Sequence, residues 1–378
     1  MRRIRDGHPW VYRDALRDAP QAHPGTLAAL YSPGSRRPVA NGFYDPKSAL
    51  AFRVCDPSGA RELNNAWASE RLEAASLLRM RTIPPGTTGY RLVNGEGDGL
   101  PGLVIDRYGD TAVIKLDGPG PEGFWGAHGI AEFLTDRLRL AGVVRRPRDR
   151  EQKPDVLTGD PPQESEFLEH GLRFTADVIQ GQKTGFFLDQ RENRRLMRDC
   201  CGDQTVLNLF SYTGGFSIAA GAGGAREVTS VDSAAPAIAV ADRHWRLNGL
   251  PEGQHTGVVA DAFAFLAEAQ DAQRRWEVVI VDPPSFAPSS KSVPRAQKAY
   301  TRLIAASASV VAPDGLLAAC SCSSHIDEGR FLEICGAATT EARRRARILT
   351  VAGQPADHPW PIACPELRYL KFVLMQLD

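Results

Sequence analysis

Two cysteines, Cys320 and Cys322, close an apolar run in LLAACSCSSHID, residues 316–327. LLAAC reads as a short buried strand, so the pair falls where a strand ends and a loop begins, the edge at which open α/β sheets bind ligands. A thiol at that place can be a disulfide half, a metal ligand, a nucleophile or core filling. Acidic residues stand at equivalent positions: Asp232 ends EVTSVD, Asp261 follows TGVVA, and Asp282 ends WEVVIVD. Aligned ends of neighbouring parallel strands put these carboxylates along one edge of a sheet. An acid at the end of a second strand can bind ribose hydroxyls, although Asp is also a good helix N-cap, which is the simpler reading of Asp232 and Asp261. The preceding loop, NLFSYTGGFS at 208–217, has small residues that let the backbone approach a ligand closely. It is not GxGxxG and lacks the fingerprint for a pyrophosphate. The expected ligand is therefore a nucleoside without a diphosphate. In DPPSF at 282–286, Pro283 and Pro284 fix an extended turn without backbone donors, which turns Asp282 to the ligand edge and leaves Phe286 to stack on a base.

The elements that must hold these residues follow from the pattern. From about residue 202, strands alternate with helices: TVLNLF, GGFSIAAGAG, EVTSVD, APAIAVADRHWRLNGL, TGVVADAFAFLAEAQ, WEVVIVDPPSF and GLLAACSCSS. That alternation implies parallel pairing through right-handed crossovers. The final RYLKFVLMQL has no helix after it and is expected to pair antiparallel at or near an edge of the same sheet. Upstream, residues 1–70 hold short β-like runs between Gly, Pro, Asn and Ser turns, as in a small barrel. Residues 71–165 hold a helix, ERLEAASLLRMR, then hairpin strands punctuated by Asn-Gly and Asp-Gly, a helix around 124–141, and a polar loop at 150–165. The expected division is 1–70, 71–165 and 166–378.

Lys and Arg number 45 and so do Asp and Glu, so the formal net charge is zero, which argues against nucleic-acid binding by bulk electrostatics. Basic clusters do occur, at MRRIR, at Arg71, Arg79 and Arg81, and at RRPRDR, RENRR and RRRAR; each alone reads as a solvated face. The seven cysteines are scattered at 55, 200, 201, 320, 322, 335 and 364, with no CxxC and no His at zinc-finger spacing. A disulfide framework and a metal site are thus not expected, and core filling or a reactive thiol remains. MRRIRDGHPW has no apolar h-region, and no stretch approaches the ~18 apolar residues of a membrane span, so the expected location is the cytoplasm.

Five motifs in order, FLEHGLRFTADVIQGQKTGFFLDQRENRR (167–195), VLNLFSYTGGFSIAA (206–220), VDSAAPAIAVADRHWRLNGL (231–250), VVIVDPPSFA (278–287) and SCSS (321–324), resemble the class I S-adenosylmethionine-dependent methyltransferases. Within them the chain resembles the large-subunit ribosomal RNA methyltransferase I family. The resemblance implies a Rossmann-like, mostly parallel seven-stranded sheet, a central α+β domain and an N-terminal PUA-like β domain that binds RNA. It implies S-adenosylmethionine as cofactor, covered by Lys183, Thr184, Gly185, Phe186 and Gln190. The loop of Asn208, Phe210, Tyr212, Thr213 and Gly214 would hold its methionine end, with Asp232 on the ribose, Asp261 by the adenine and Asp282 at the same edge. The implied reaction is formation of 5-methylcytosine in large-subunit (23S) ribosomal RNA by a thiolate that adds to carbon-6.

The match to Ser-Cys-Ser selects Cys322 as nucleophile, with Cys320 as inert filler deeper in the apolar run. Asp282 would meet the polar edge of the pyrimidine, and Pro283, Pro284 and Phe286 would meet the base. Asp282 or a water would take the carbon-5 proton. Uridine at carbon-5 is open to the same route, and the family admits a homodimer. Related enzymes with an Asp-Pro-Pro-aromatic turn methylate exocyclic amines; here Ser285 intervenes before the aromatic, and this is the alternative activity. A non-catalytic RNA-binding relic of the fold is the third class.

Overall fold

The computed structural model describes all residues except Met1, Asp18, Arg150, Glu151 and Pro288. Two units emerge, one of Met1–Gly171, Thr175–Leu188 and Ala356–Leu367, the other of Leu172–Phe174, Asp189–Pro355 and Arg368–Asp378. In the first, strands Trp10–Tyr12, Leu50–Asp56, Pro38–Tyr44 and Thr26–Tyr31 lie in that spatial order as an antiparallel sheet. Ile4, Val11, Ala40, Phe52 and Val54 form a core against it.

A second sheet of the same unit runs Gly89–Asn94, Leu103–Tyr108, Thr111–Leu116, Gly142–Arg146, Asp155–Gly159. Only its Thr111–Leu116 and Gly142–Arg146 pair is parallel, as a helical crossover requires. The single helix expected around 124–141 is instead two, Pro119–Phe124 and Ala127–Leu138. The chain extends at Trp125, whose indole Nε1 donates to the carbonyl of Pro101 at 3.0 Å. Part of the expected 150–165 loop is also ordered otherwise: Asp155–Gly159 pairs with Gly142–Arg146 as an edge strand; Arg150 and Glu151 lie outside the described residues.

Helix Asn65–Thr82 carries a correction to the reading of Arg79 as solvated, whereas Arg81 is exposed as expected. Asn64 caps it by accepting the N–H of Trp67. Arg79, only 1 % exposed, pairs with Asp98 and donates to the carbonyls of Arg91 and Asp357 at 2.8 Å. Removing one member of such a pair leaves a buried uncompensated charge, so this guanidinium is a structural element of the unit. His8, Cys364 and Glu366 bring three ligand-type atoms within 4.8 Å of one another. Arg3 stands 3.8 Å from the Glu366 carboxylate, so that acid already faces a cation.

The second unit is built on seven strands: β1 (Thr205–Leu209), β2 (Glu227–Asp232), β3 (His255–Val259), β4 (Trp276–Val281), β5 (Val311–Ser321), β6 (Ala346–Ala352) and β7 (Lys371–Leu377). Their spatial order is 3-2-1-4-5-7-6. β7 inserts antiparallel between β5 and β6, one place in from the edge, and the pairs among β1 to β5 are parallel. Helices α1 (Arg191–Cys200), α2 (Gly215–Ala222), α3 (Ala235–Leu247), α4 (Ala262–Asp271), α5 (Val293–Ser309) and α6 (Glu328–Glu341) cover both faces. The central strands are consequently apolar on both sides. Leu207, Val279, Val281, Leu317 and Ala319 face a core with α4, α5 and α6, while Val206, Val278, Ile280, Ala318 and Cys320 face a core that includes Phe216 of α2 and Trp245 of α3. Among the described residues no helix is long and apolar enough to cross a membrane.

Candidate active site

In a sheet whose order reverses direction beside β1, ligands bind past the carboxyl ends of the strands at that switch point. The structure brings Asn208, Asp232, Asp261, Asp282 and Cys322 to those ends, at the termini of β1 to β5.

The loop after β1 is held in an unusual backbone. Phe210 and Tyr212 have φ of 57° and 47°, and Gly214 has φ of 81°. A left-handed non-glycine residue costs on the order of 1–3 kcal/mol and persists only where its surroundings enforce it. Asp232 supplies part of that enforcement. Its carboxylate accepts the N–H of Tyr212 at 2.8 Å and of Ala234 at 2.9 Å, and no side-chain cap serves α3. Asp232 therefore braces the loop rather than capping the helix. Asp261 does cap α4, accepting from Phe263 and Ala264 at 3.0 Å through one oxygen.

Sequence reasoning missed His244, which donates Nδ1–H to the carbonyl of Thr213 at 2.9 Å and is wholly buried. It sits in an apolar helix pattern, where a lone His reads as core. Behind the loop, Asn208 Nδ2 donates to Ser217 at 2.9 Å, and the chain continues through Ser230 to His255 and Asp242. Burial pushes the His255 imidazole down from its ordinary value, which keeps this thread neutral at its centre.

Several buried polar atoms of this region have no protein partner: Asn208 Oδ1, Ser211 Oγ, Thr213 Oγ1 and Gln190 Nε2. Such atoms cost about 1–3 kcal/mol each when left unpaired. Those of Asn208, Ser211 and Thr213 belong to β1 and the loop after it, where they suit a polar ligand at the switch point. Gln190 Oε1 accepts from Asn193 Nδ2 at 2.5 Å.

Cys320 and Cys322 differ in burial although alternation gives them one direction. Cys320 is 1 % exposed inside the core, and burial raises its thiol well above the usual range. β5 ends at Ser321, and Cys322 is half-buried in the loop beyond. The two serines beside it explain the spacing. Ser321 donates to the Tyr300 hydroxyl at 3.1 Å, and Ser323 bonds that hydroxyl at 2.9 Å. Both serines are fully buried, so they anchor the loop and leave Cys322 as its half-exposed member. Ser323 further bonds Ser285 at 3.0 Å, which ties the 282–286 turn to the cysteine loop.

In that turn Pro283 is buried and Pro284 exposed. Phe286 packs on Tyr300 with ring centroids 4.7 Å apart and the planes tilted by 49°. Tyr300, in the apolar face of α5, was not singled out by sequence and is the hub of this part of the site. Lys371 was also missed. Its ammonium, at the start of β7, donates to the carbonyls of Ser323 at 2.6 Å and Tyr369 at 2.7 Å. A lone cation in the apolar run YLKFVLMQL was its only signal.

Lys183, Thr184, Gly185 and Phe186 belong to the first unit. Thr184 is buried and bonds Asp106 at 2.5 Å and Tyr108 at 2.9 Å. Phe186 packs edge-on against Phe167, and the Lys183 ammonium lies 4.2 Å over the Phe187 ring.

The family model for S-adenosylmethionine-dependent methyltransferases matches residues 138–351, and that for PUA-like domains matches residues 1–56. A ribosomal RNA large subunit methyltransferase of Deinococcus radiodurans is 39 % identical over 99 % of this chain and 95 % of its own length. A ribosomal RNA large subunit methyltransferase I of Photobacterium profundum is 35 % identical over 97 % of this chain and 95 % of its own. Among solved structures, a methyltransferase complexed with S-adenosylhomocysteine superposes with a TM-score of 0.88 at 24 % identity, over 99 % of this chain and 97 % of that one, a likeness of fold.

Proposed function

Because this chain belongs to the ribosomal RNA large subunit methyltransferase I family of S-adenosylmethionine-dependent enzymes, we propose that it converts a cytosine of that RNA to 5-methylcytosine through a Cys322 thiolate. The coarser activity, S-adenosylmethionine-dependent methylation of large-subunit ribosomal RNA, is that of the family. One observation carries the finer reading: Cys322 is the half-exposed thiol at the carboxyl end of β5, on a loop anchored by Ser321 and Ser323, in the row of strand ends that includes Asp282.

Carbon-5 of cytosine is a weak nucleophile. Addition of the Cys322 thiolate to carbon-6 forms a C–S bond and moves the carbon-5/carbon-6 π pair toward carbon-5, which makes it an enamine carbon. S-adenosylmethionine, when bound, supplies an electrophilic methyl group to that carbon. Loss of the carbon-5 proton to Asp282 or water then restores the double bond as the C–S bond breaks and the thiolate leaves. Asp282 also serves as a fixed polar group for the amine and ring-nitrogen edge, where preorganised charge is most effective. Asn208, Phe210, Tyr212, Thr213 and Gly214 shape the cofactor loop, Asp232 braces it and faces the ribose, and Asp261 flanks the adenine. Phe286 offers its ring to the base, with Pro283 and Pro284 fixing its turn.

Covalent trapping tests this. Wild type, Cys322→Ala and Cys320→Ala are incubated with S-adenosylmethionine and large-subunit RNA carrying 5-fluorocytidine. Fluorine cannot leave as a cation, so a denaturation-resistant adduct is expected from wild type and Cys320→Ala, and none from Cys322→Ala. A wild type that methylates normal RNA yet forms no adduct would exclude the thiolate route and favour amine methylation at the 282–286 turn.

A further inference from the structure

We propose that Lys371 is the cationic partner of the Cys322 thiolate: a buried ammonium that holds the sulfur charged and fixes the carbonyl of the next residue. This deepens the reading of Cys322 as nucleophile and rests on it.

The geometry is unusual for a lysine. Lys371 is 2 % exposed, and lysine is almost never fully buried unless paired. Its hydrogen bonds go to the carbonyls of Ser323 and Tyr369, and among the described residues none goes to a carboxylate. Two of the three N–H donors are thereby used, and a third remains. Carbonyl dipoles alone compensate a buried charge poorly, which is why its pKa is pushed down to about 8. The charged and titratable groups that act on it are Cys322 on the loop after β5, Asp327 at the start of α6 and Arg368 ahead of β7. Tyr300 of α5, which bonds Ser323, also feels Cys322, and Cys320 feels both Cys322 and Asp282. Of the anionic neighbours of Lys371, Asp327 already caps α6 by accepting the N–H of Arg330 at 2.8 Å. The sulfur is the neighbour whose charge state the ammonium can set.

The chemistry balances with a single proton. A thiol beside an amine and a thiolate beside an ammonium differ only in whether that proton sits on Cys322 Sγ or Lys371 Nζ. A nearby cation favours the second form, which is the one able to attack carbon-6. When the C–S bond breaks at the end of the cycle, the departing sulfur meets the same ammonium and leaves as thiolate. Lys371 is thus a positioning residue that acts through Cys322. β7 is the antiparallel strand laid against β5, with Lys371 opposite Ser321, so the sheet itself delivers the cation to the cysteine loop.

The test reads the sulfur directly and needs neither RNA nor cofactor. Full-length wild type, Lys371→Met and Lys371→Arg are alkylated with iodoacetamide across pH 5.5 to 10, and the Cys322 peptide is quantified by mass spectrometry. The wild-type midpoint is expected below the ordinary thiol value of about 8.5. Lys371→Met should raise it by about one pH unit or more, and Lys371→Arg should keep it low. A wild-type midpoint at or above the ordinary value overturns the proposal whether or not Lys371→Met folds, and so does an unchanged midpoint in a folded Lys371→Met. Absence of the 5-fluorocytidine adduct would instead remove the nucleophile reading and leave the alkylation profile as it is, so the two failures are distinguishable.

Discussion

Cys320 and Cys322 are chemically identical side chains two residues apart, and what separates them is the end of a strand. Within β5, Cys320 belongs to the core face shared with Val278, Ile280 and Phe372. One step beyond Ser321 the backbone leaves the ladder, and Cys322 gains exposure. The hydroxyl of Tyr300 governs that transition, since it engages both flanking serines while its ring packs on Phe286 and on Phe331 at 5.9 Å. Tyr300→Phe retains the ring and removes the hydroxyl, leaving buried serine hydroxyls short of a partner. The expected loss of stability is about 1–3 kcal/mol. Urea unfolding would measure it, and kcat for methyl transfer should fall as the cysteine loop loosens, with cofactor affinity little changed. Equal loss of cofactor affinity would mean that the hydroxyl supports the whole edge rather than this loop.

At the scale of elements, the loop after β1 depends on helix α3 as much as on its own sequence. Asp232 at the end of β2 and His244 within α3 hold its N–H and carbonyl groups from two sides. Gly214, with φ of 81°, faces the same helix: an added Cβ would lie 2.7 Å from that of Ala241. Gly214→Ala should therefore cost on the order of 2–4 kcal/mol from left-handed strain and overpacking combined. Calorimetric titration with S-adenosylhomocysteine is expected to show at least about a tenfold weaker Kd, a factor worth about 1.4 kcal/mol. An unchanged Kd in a folded variant would show that the helix can retreat without disturbing the loop.

The alternating strands and helices, the acids at their ends and the glycine loop were legible in sequence because each is a local pattern. The antiparallel final strand was legible for the same reason, having no helix after it. The bracing roles were not. Nothing in DRHWRLNGL distinguishes a histidine bound to a loop carbonyl from a core histidine, and nothing in KAYTRLIA marks a tyrosine that holds two serines more than twenty residues away. The strand Asp155–Gly159 was hidden by polar neighbours because its pairing is an edge pairing, which demands little apolar sequence.

For the molecule as a whole, the balance of 45 basic and 45 acidic residues limits how RNA can be held. Several basic side chains are committed internally: Arg79 to Asp98, Arg53 to Glu96 and Asp117, and Arg91 to Asp106. A sequence cluster such as Arg71, Arg79 and Arg81, with Arg79 buried, therefore overstates the positive surface. Among the exposed cations, Arg13 and Lys47 line a groove of the first unit with Tyr12, Asp14 and Ala49, where an exposed aromatic ring lies among cations. A groove of that kind offers few charges to phosphates and a ring for stacking, a combination suited to a folded RNA element. RNA affinity should accordingly fall only gently with salt, with log K against log salt sloping no more steeply than about −4, since each neutralised phosphate contributes roughly 0.7 to 0.9. Filter binding of the natural RNA element between 50 and 300 mM salt measures the slope. Arg13→Glu with Lys47→Glu should weaken binding and flatten the slope by about two phosphates while leaving S-adenosylhomocysteine affinity unchanged. A steep slope would mean that the cations now paired to carboxylates exchange those partners for phosphates when RNA binds, and net neutrality would then conceal a rearrangement instead of a weak electrostatic grip.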